Sequence, residues 1–503
     1  MPIVTSGILG RIIDHDQGID LSPSELRNET VRRRGIYYSL GMRRGSKAII
    51  CHGNSYEFFA DLLALWEIGV CCIPVDSQTS ANELANLIRH CDAKLLIYKG
   101  VLDTQSLNAS LDAPILTVDS GEINQVERDS PSQRFVDQNV TWEDEALILY
   151  TSGSTGEPKG VLHTFRSLMA RLYLLRADVG LGLLNTSLTL LPTNFGHGLI
   201  CNSLYPLLNG CTLVILPAFN VSLLSDLGAL IDRYQISFMS SVPTVWKMAL
   251  RLSAPPKSAT LKRIHCGSAP LGADLFGGIR KWCGTNNVKN TYGITEVGSW
   301  LAGTEDDVSD FIDGYIGKGW GTDIIILDDG SDPSAVNPKR YELPVNGEGD
   351  VWVRTPALMA GYYKRPDLTA QVVKNTWFST GDKGYKDNGG SLVLVGRKRH
   401  EINKAGMKIY PEDIDLALEQ SPDVADVCTF AIDDPLAGQV VGVAVVLKSV
   451  RADLEPVKAW LKTRISPHKF PTKWFPVDSI PKDTRGKVNR EKVAESCLRR
   501  SVQ

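Results

Sequence analysis

Apolar positions along the first hundred residues alternate between two periods. Residues 24–40 carry them at helical spacing, 47–51 form a short apolar run, 56–68 show a helix with a broad apolar face, and 70–75 a buried strand. Residues 81–90 then read as helix and 94–98 as strand. This βα rhythm predicts a parallel sheet covered by helices on both faces. The stretch 104–139 loses periodicity and is rich in Asp, Ser and Gln, so it reads as a surface connection with one short strand at 115–118.

The pattern resumes at Ala146, with helices expected at 167–176, 222–234 and 244–252 and strands at 188–191, 212–216 and 263–266. A second α/β unit is implied. Residues 324–328 and 349–354 look instead like strands of a smaller β-rich region, set between Gly, Asp and Pro punctuation. After Gly396 the rhythm changes again, with helices near 411–420 and 454–466 and strands near 427–432 and 440–447. The expected fold is therefore α/β: a large N-terminal domain, residues 1–396, of two helix-covered sheets plus a small β-rich region, then a small α+β C-terminal lid, residues 397–503.

Composition narrows the class. A chain of 503 residues is too long for one core, and about 150 residues per domain gives roughly three compact units. The 54 basic and 57 acidic residues leave a net charge of -3, too small to argue for nucleic acid or an anionic membrane surface. The longest apolar runs fall short of a membrane span, and residues 1–11 lack the leader pattern of an exported chain. Ten cysteines occur without a Cys-x-x-Cys pair. A soluble, cytoplasmic protein with reduced core thiols and small-molecule partners is expected.

The sharpest local feature is Thr151-Ser152-Gly153-Ser154-Thr155-Gly156-Glu157-Pro158-Lys159-Gly160, directly after a short apolar strand. Glycines let the backbone approach an oxyanion, hydroxyls and N–H groups donate to it, and lysine adds a charge. This is phosphate-binding chemistry, although such a stretch by composition alone is often only a flexible loop. It is not a Walker A loop, because Pro158 stands where the second glycine is required.

This segment resembles the signature loop of the adenylate-forming superfamily, which includes acyl-CoA synthetases, adenylation domains of peptide synthetases and beetle luciferases. Further motifs of that family follow in its order. Gly267-Ser268-Ala269-Pro270 resembles the adenine-pocket turn, and Tyr292-Gly293-Ile294-Thr295-Glu296 the next motif. There the resemblance assigns Tyr292 to stack on adenine, Thr295 to the α-phosphate and Glu296 to magnesium. Asp382, after Ser379-Thr380-Gly381, resembles the ribose ligand, with Arg397 near the same sugar. Lys487, within Arg485-Gly486-Lys487-Val488, matches the C-terminal catalytic lysine. A lysine in such a basic tail is ordinarily a solvated charge, so this role rests on the whole set of motifs.

The resemblance implies an ATP- and Mg²⁺-dependent enzyme that converts a carboxylic acid to an acyl-adenylate with release of pyrophosphate, and then passes the acyl group to a thiol. It further implies a mobile lid that rotates about a hinge at Arg399. By analogy the acid lies among Phe195, His197, Val242, Gly267, Ile294, Val297 and Trp300, which points to an apolar or aromatic acid of modest size. Gly196 stands where amino-acid-activating relatives usually present Asp, so a free amino acid is not expected. His197 can hydrogen-bond a polar substituent or simply pack. The segment 402–411 looks more like that of CoA ligases than that of peptide-synthetase domains. CoA is the expected acceptor, with the phosphopantetheine of an acyl carrier protein as the alternative. A silent member of the fold or a luciferase-like oxygenase are the remaining readings.

Overall fold

The computed structural model describes residues 8–123, 139–151, 159–217, 221–269, 271–306, 308–309, 311–328, 331, 333, 338–397, 402–409, 411–449, 453–481, 488 and 490–500. Two large sheets make the body. The first runs Gly361–Tyr362, Lys159–Thr164, Glu145–Thr151, Cys71–Pro74, Lys47–Cys51, Leu95–Tyr98 and Leu116–Asp119. Its pairings from Glu145–Thr151 through to Leu116–Asp119 are parallel, as the βα rhythm requires.

The helix Tyr56–Ile68 is capped by the Ser55 hydroxyl, ends at Gly69 with φ +83°, and is buried at every position from Glu57 to Ile68. It belongs to one apolar cluster with Leu199–Leu207 residues and with Leu213 and Ile215 of the second sheet, so neither face meets water. A carboxylate on such a helix must be paired. Asp61 accepts from Arg33 Nη1 at 2.5 Å, Ser120 Oγ at 2.6 Å and His52 Nε2 at 3.1 Å. Burial alone pushes the Asp61 carboxyl up, but Arg33, His52 and Ser120 outweigh it and hold it at about 2.

The second sheet holds parallel strands Ile12–Asp14, Thr212–Ile215, Thr186–Thr189, Phe238–Ser241, Arg263–Gly267 and Val288–Ile294. The expected β-rich region continues the second sheet. Ser299–Gly303 pairs antiparallel with Val288–Ile294 on one side and Tyr315–Gly319 on the other, which carries the sheet on through Leu392–Arg397, Trp377–Lys386, Gly349–Arg354 and Asp323–Leu327. An open edge was available, and those strands occupy it.

Two local expectations are corrected, and one element is new. The stretch 104–139 contains short helices Thr104–Ala109 and Ser120–Ile123 beside the foreseen strand. The helix expected at 222–234 is broken at Asp226 into Val221–Ser225 and Leu227–Tyr234. A Cβ at Gly228 would stand 2.1 Å from the Ala254 carbonyl oxygen, so that glycine admits the neighbouring chain. His197–Leu204, unforeseen, is a π-helical segment, a form that is rare and often found at functional sites.

Strand Leu392–Arg397 lies in the body, whereas Ile402–Lys404 lies in a third sheet with Met407–Ile409, Val424–Asp434, Gly438–Leu447 and Lys473–Pro476. Helices Pro411–Glu419 and Leu454–Lys462 share one apolar cluster of this lid, and Arg490–Arg500 packs into another. Among the described residues no helix is long and apolar enough to cross a membrane.

Candidate active site

A cavity of about 550 Å³ opens between body and lid. Its body side carries Leu149 and Tyr150 from the first sheet, and Phe195, Gly196, Val242 and Thr295 from the second; Gly406 and Met407 face them from the lid. Strand ends of both sheets therefore converge there. This is the place where open α/β sheets usually bind ligands.

Tyr292 is 6% exposed on strand Val288–Ile294 and donates its hydroxyl proton to Asp382 Oδ2. Asp382 sits opposite Arg397 in the pairing of Trp377–Lys386 with Leu392–Arg397. Its backbone is fixed by donation of its N–H to Thr380 Oγ1 at 3.1 Å, while Thr380 Oγ1 donates to the Val351 carbonyl at 2.8 Å. The proposed adenine and ribose residues thus come together from motifs ninety residues apart. Around them the backbone runs close: a Cβ at Gly267 would lie 2.3 Å from the Thr291 carbonyl oxygen, and one at Gly293 would lie 2.2 Å from that of Ser299.

Thr295–Val297 forms a single 3-10 turn after that strand. Glu296 Oε1 accepts from the Tyr362 hydroxyl at 2.7 Å, and Lys159 Nζ stands 5.8 Å from the centre of the Tyr362 ring. Tyr362 was not among the residues read from the sequence. Its only local signal was the Gly361-Tyr362-Tyr363-Lys364 punctuation.

Two more unforeseen side chains brace the turn. His163 Nε2 donates to the Thr295 carbonyl at 2.8 Å, and burial holds the imidazole down at about 4, hence neutral. Arg171, fully buried, donates to the carbonyls of Val297 at 2.9 Å and Trp320 at 3.1 Å, and burial lowers its pKa to about 10. The signal for Arg171 was an arginine on the apolar face formed by Leu168, Leu172 and Leu175.

Among the described residues no group of three or more His, Cys, Asp and Glu is placed to hold a metal. A magnesium ion shared with phosphates needs only one or two carboxylates. Glu296, fixed by Tyr362 near Lys159, fits that requirement.

Of the residues expected by analogy around the acid, Phe195 and Val242 line the cavity, as does Gly196, and His197 follows Gly196 in the chain without lining it. His197 is 1% exposed, with Nδ1 2.9 Å from Ser268 Oγ and Nε2 2.6 Å from Ser240 Oγ. Burial lowers its pKa to about 3, so it is a neutral bridge between two serines. Trp300 is buried against it. Ile294 and Val297 pack into the core with Leu301, Val351 and Val353 rather than along the cavity, and Gly267 backs onto Thr291.

From the lid, Asn403 Nδ2 donates to the Ser268 carbonyl at 2.8 Å, and a Cβ at Gly406, where φ is +83°, would stand 3.0 Å from Val242 Cγ1. Ser268 itself adopts φ +66°, which turns its carbonyl to that contact. Val488 and Arg490 lie elsewhere, in the lid interior: Val488 packs beside Cys428 and Phe430, and Arg490 Nη1 donates to Asp415 at 2.6 Å. Ser152 to Pro158, Pro270, Arg399 and Lys487 fall outside the described residues, as do the side chains of Thr151 and Arg397. Ala269 lies in the turn after strand Arg263–Gly267.

Comparison with known proteins follows the same lines. Residues 13–363 match the AMP-binding enzyme family and residues 413–487 the AMP-binding enzyme C-terminal domain. A probable CoA ligase of Humulus lupulus is 28% identical over 95% of this chain and 92% of its own length. An oxalate–CoA ligase of Arabidopsis thaliana is 27% identical over 91% and 90% respectively. Among solved structures, o-succinylbenzoate CoA synthetase of Bacillus subtilis bound to a product analogue superposes with TM-score 0.86 at 23% identity, covering 98% of both chains. The same protein with ATP and magnesium gives 0.70, covering 98% of this chain and 99% of that one. The chain described here belongs to the AMP-binding enzyme family.

Proposed function

We propose that this chain uses Mg-ATP to convert a carboxylic acid to an acyl-adenylate and transfers the acyl group to the thiol of CoA. The observation that carries the reading is the convergence at one cavity of the Tyr292–Asp382 pair, the Glu296–Tyr362–Lys159 cluster and the acyl wall of Phe195, Gly196 and Val242. Attack of a carboxylate on the α-phosphorus of ATP brings anions together, so positive charge must be supplied where negative charge develops. Lys159 and, on the family pattern, Lys487 provide it. A magnesium ion held by Glu296 would neutralise phosphate charge. No side-chain nucleophile is required, because the acid itself attacks and pyrophosphate departs.

In the second half-reaction the thiol sulfur bonds to the acyl carbon and AMP leaves. The lid as it stands suits that step: Gly406 and Met407 line the cavity, Asn403 bonds the Ser268 carbonyl, Val488 and Arg490 are turned into the lid, and the superposition is better on the product-analogue complex than on the ATP complex of the same relative. We place the division between body and lid at residues 396/397, with the hinge at Arg399, between the last body strand and the first lid strand. A reducing cytoplasm suits the ten cysteines, which are buried and form no disulfide among the described residues.

Mass spectrometry of a reaction with Mg-ATP, an accepted acid and either CoA or a phosphopantetheinylated carrier protein tests the acceptor. Acyl-CoA as the product is expected. Acyl-carrier with no acyl-CoA would replace CoA by the carrier.

A further inference from the structure

The lid residues on either side of Lys487 are anchored at one place. Upstream, Ile480 is buried in the apolar cluster of Cys428, Phe430, Val493 and Cys497, and Val488, directly after Lys487, packs against the same cluster. Just beyond, Arg490 opens helix Arg490–Arg500. Its Nη1 donates to Asp415 Oδ2 at 2.6 Å and to the Thr429 carbonyl at 2.8 Å. Asp415 is 8% exposed on helix Pro411–Glu419, and its Oδ1 accepts from the Thr429 N–H at 2.7 Å. One carboxylate thus ties the helix after Lys487 to a strand and to a second helix of the lid.

Stability does not account for this pair. Burial pushes the Asp415 carboxyl up to about 6, and Arg490 only partly offsets it, so the charge is kept against a desolvation cost. A buried ion pair adds little over apolar side chains of similar volume, and its best-attested use is to fix register.

We infer that Asp415, acting through Arg490, is a positioning residue for Lys487 in acyl-adenylate formation. This inference rests on the adenylation reading and on the role given there to Lys487. Asp415, Thr429 and Arg490 all lie within the lid, so the anchor travels with Lys487 through any rotation of the lid against the body. The hairpin of Ile402–Lys404 and Met407–Ile409, which meets the body at Ser268 and Val242, is held by other contacts. Asn403 N–H donates to Gln439 Oε1 at 2.9 Å, and Lys404 Nζ to the His468 carbonyl at 3.0 Å. Loosening Asp415 therefore bears on the first half-reaction and spares the second.

The test pairs acid-dependent exchange of labelled pyrophosphate into ATP with thioester formation from supplied acyl-adenylate and CoA. Both are measured for the native enzyme, Asp415→Asn, Arg490→Met, Arg490→Lys and Lys487→Ala. Asp415→Asn keeps the size of the side chain and an acceptor for Thr429, and removes the charge that holds Arg490. Misplacing a catalytic group by about 1 Å costs roughly 100-fold, so kcat for exchange should fall about 10- to 100-fold in Asp415→Asn and Arg490→Met. The KM for ATP and the rate of thioester formation should stay within about threefold of native. Arg490→Lys, which keeps a charged donor, should lose less. It carries the test if the other two variants do not fold: a loss confined to exchange supports the role, and no loss overturns it. Native exchange in folded Asp415→Asn and Arg490→Met, or equal loss of both half-reactions, would overturn the positioning role while Lys487→Ala still abolishes exchange. Native exchange in Lys487→Ala would overturn the reading of Lys487 itself, and the positioning role with it.

Discussion

Glu83 ties the lid to the body, and its removal should separate the two half-reactions. It is the third residue of helix Ala81–Cys91, where it closes a capping box with Ser80. The same carboxylate accepts from lid residues Ser466 Oγ at 2.5 Å and Lys469 Nζ at 3.2 Å, and the Glu83 and Lys469 side chains are each 19% exposed. Burial pushes the Glu83 carboxyl up, but Lys469 and the Ser466 hydroxyl pull harder and leave it below the ordinary carboxylate range. A depressed carboxyl contributes its stabilisation above its unfolded value and loses it as pH falls through the folded one, so the contact is intact at neutral pH.

A hydrogen bond involving a charged group is worth about 1.5–3 kcal/mol. With partial exposure and side-chain ordering deducted, Glu83→Ala should cost the docked lid about 2 kcal/mol, or roughly 30-fold in the docking equilibrium. Thioester formation from supplied acyl-adenylate and CoA should fall by that order, while acid-dependent pyrophosphate release stays within about threefold. Lys469→Ala changes only the lid side and leaves the helix cap alone, so it should reproduce the direction of the effect. Equal loss of both half-reactions in Glu83→Ala and Lys469→Ala, or no loss in either, would refute the reasoning.

His163 is neutral in the fold with its pKa held at about 4; because the unfolded chain takes up its proton first, this group's contribution to stability is lost as pH falls from about 6.5 toward 4. Urea unfolding should show a decline from pH 7 to pH 5 that is shallower by about 2 kcal/mol in His163→Gln, and an unchanged slope would contradict the assignment. Lys487→Ala should nearly abolish acyl-adenylate formation and leave conversion of supplied acyl-adenylate to thioester largely intact; parallel loss of both steps would remove the role given to Lys487.

Much of the framework is legible locally. Lys47–Cys51, Tyr56–Ile68 and Gly349–Arg354 coincide with the stretches their periodicity marks out, because burial on one face or on all faces leaves a direct imprint on composition. Sheet continuity leaves none. Ile12–Asp14 pairs with Thr212–Ile215, and Gly361–Tyr362 pairs with Lys159–Thr164, some two hundred residues away in each case. The site divides in the same way. Tyr292, Glu296 and Asp382 stand in motifs whose order and spacing resemble those of a known family, and that resemblance, rather than residue type alone, singles them out. Tyr362, His163 and Arg171 act through partners brought in by the fold, and nothing near them in the chain names those partners. Trp300, expected by analogy among the pocket walls, is instead buried against His197 and His265, neither of which is near it in the chain.

The central claim is that ATP is cleaved at the α-phosphorus by a carboxylate. Exchange of labelled pyrophosphate into ATP, with magnesium and with CoA left out, measures that step alone and in both directions. The account predicts exchange that depends on both the acid and magnesium. Exchange without any acid, or phosphate in place of pyrophosphate as the product, would contradict it.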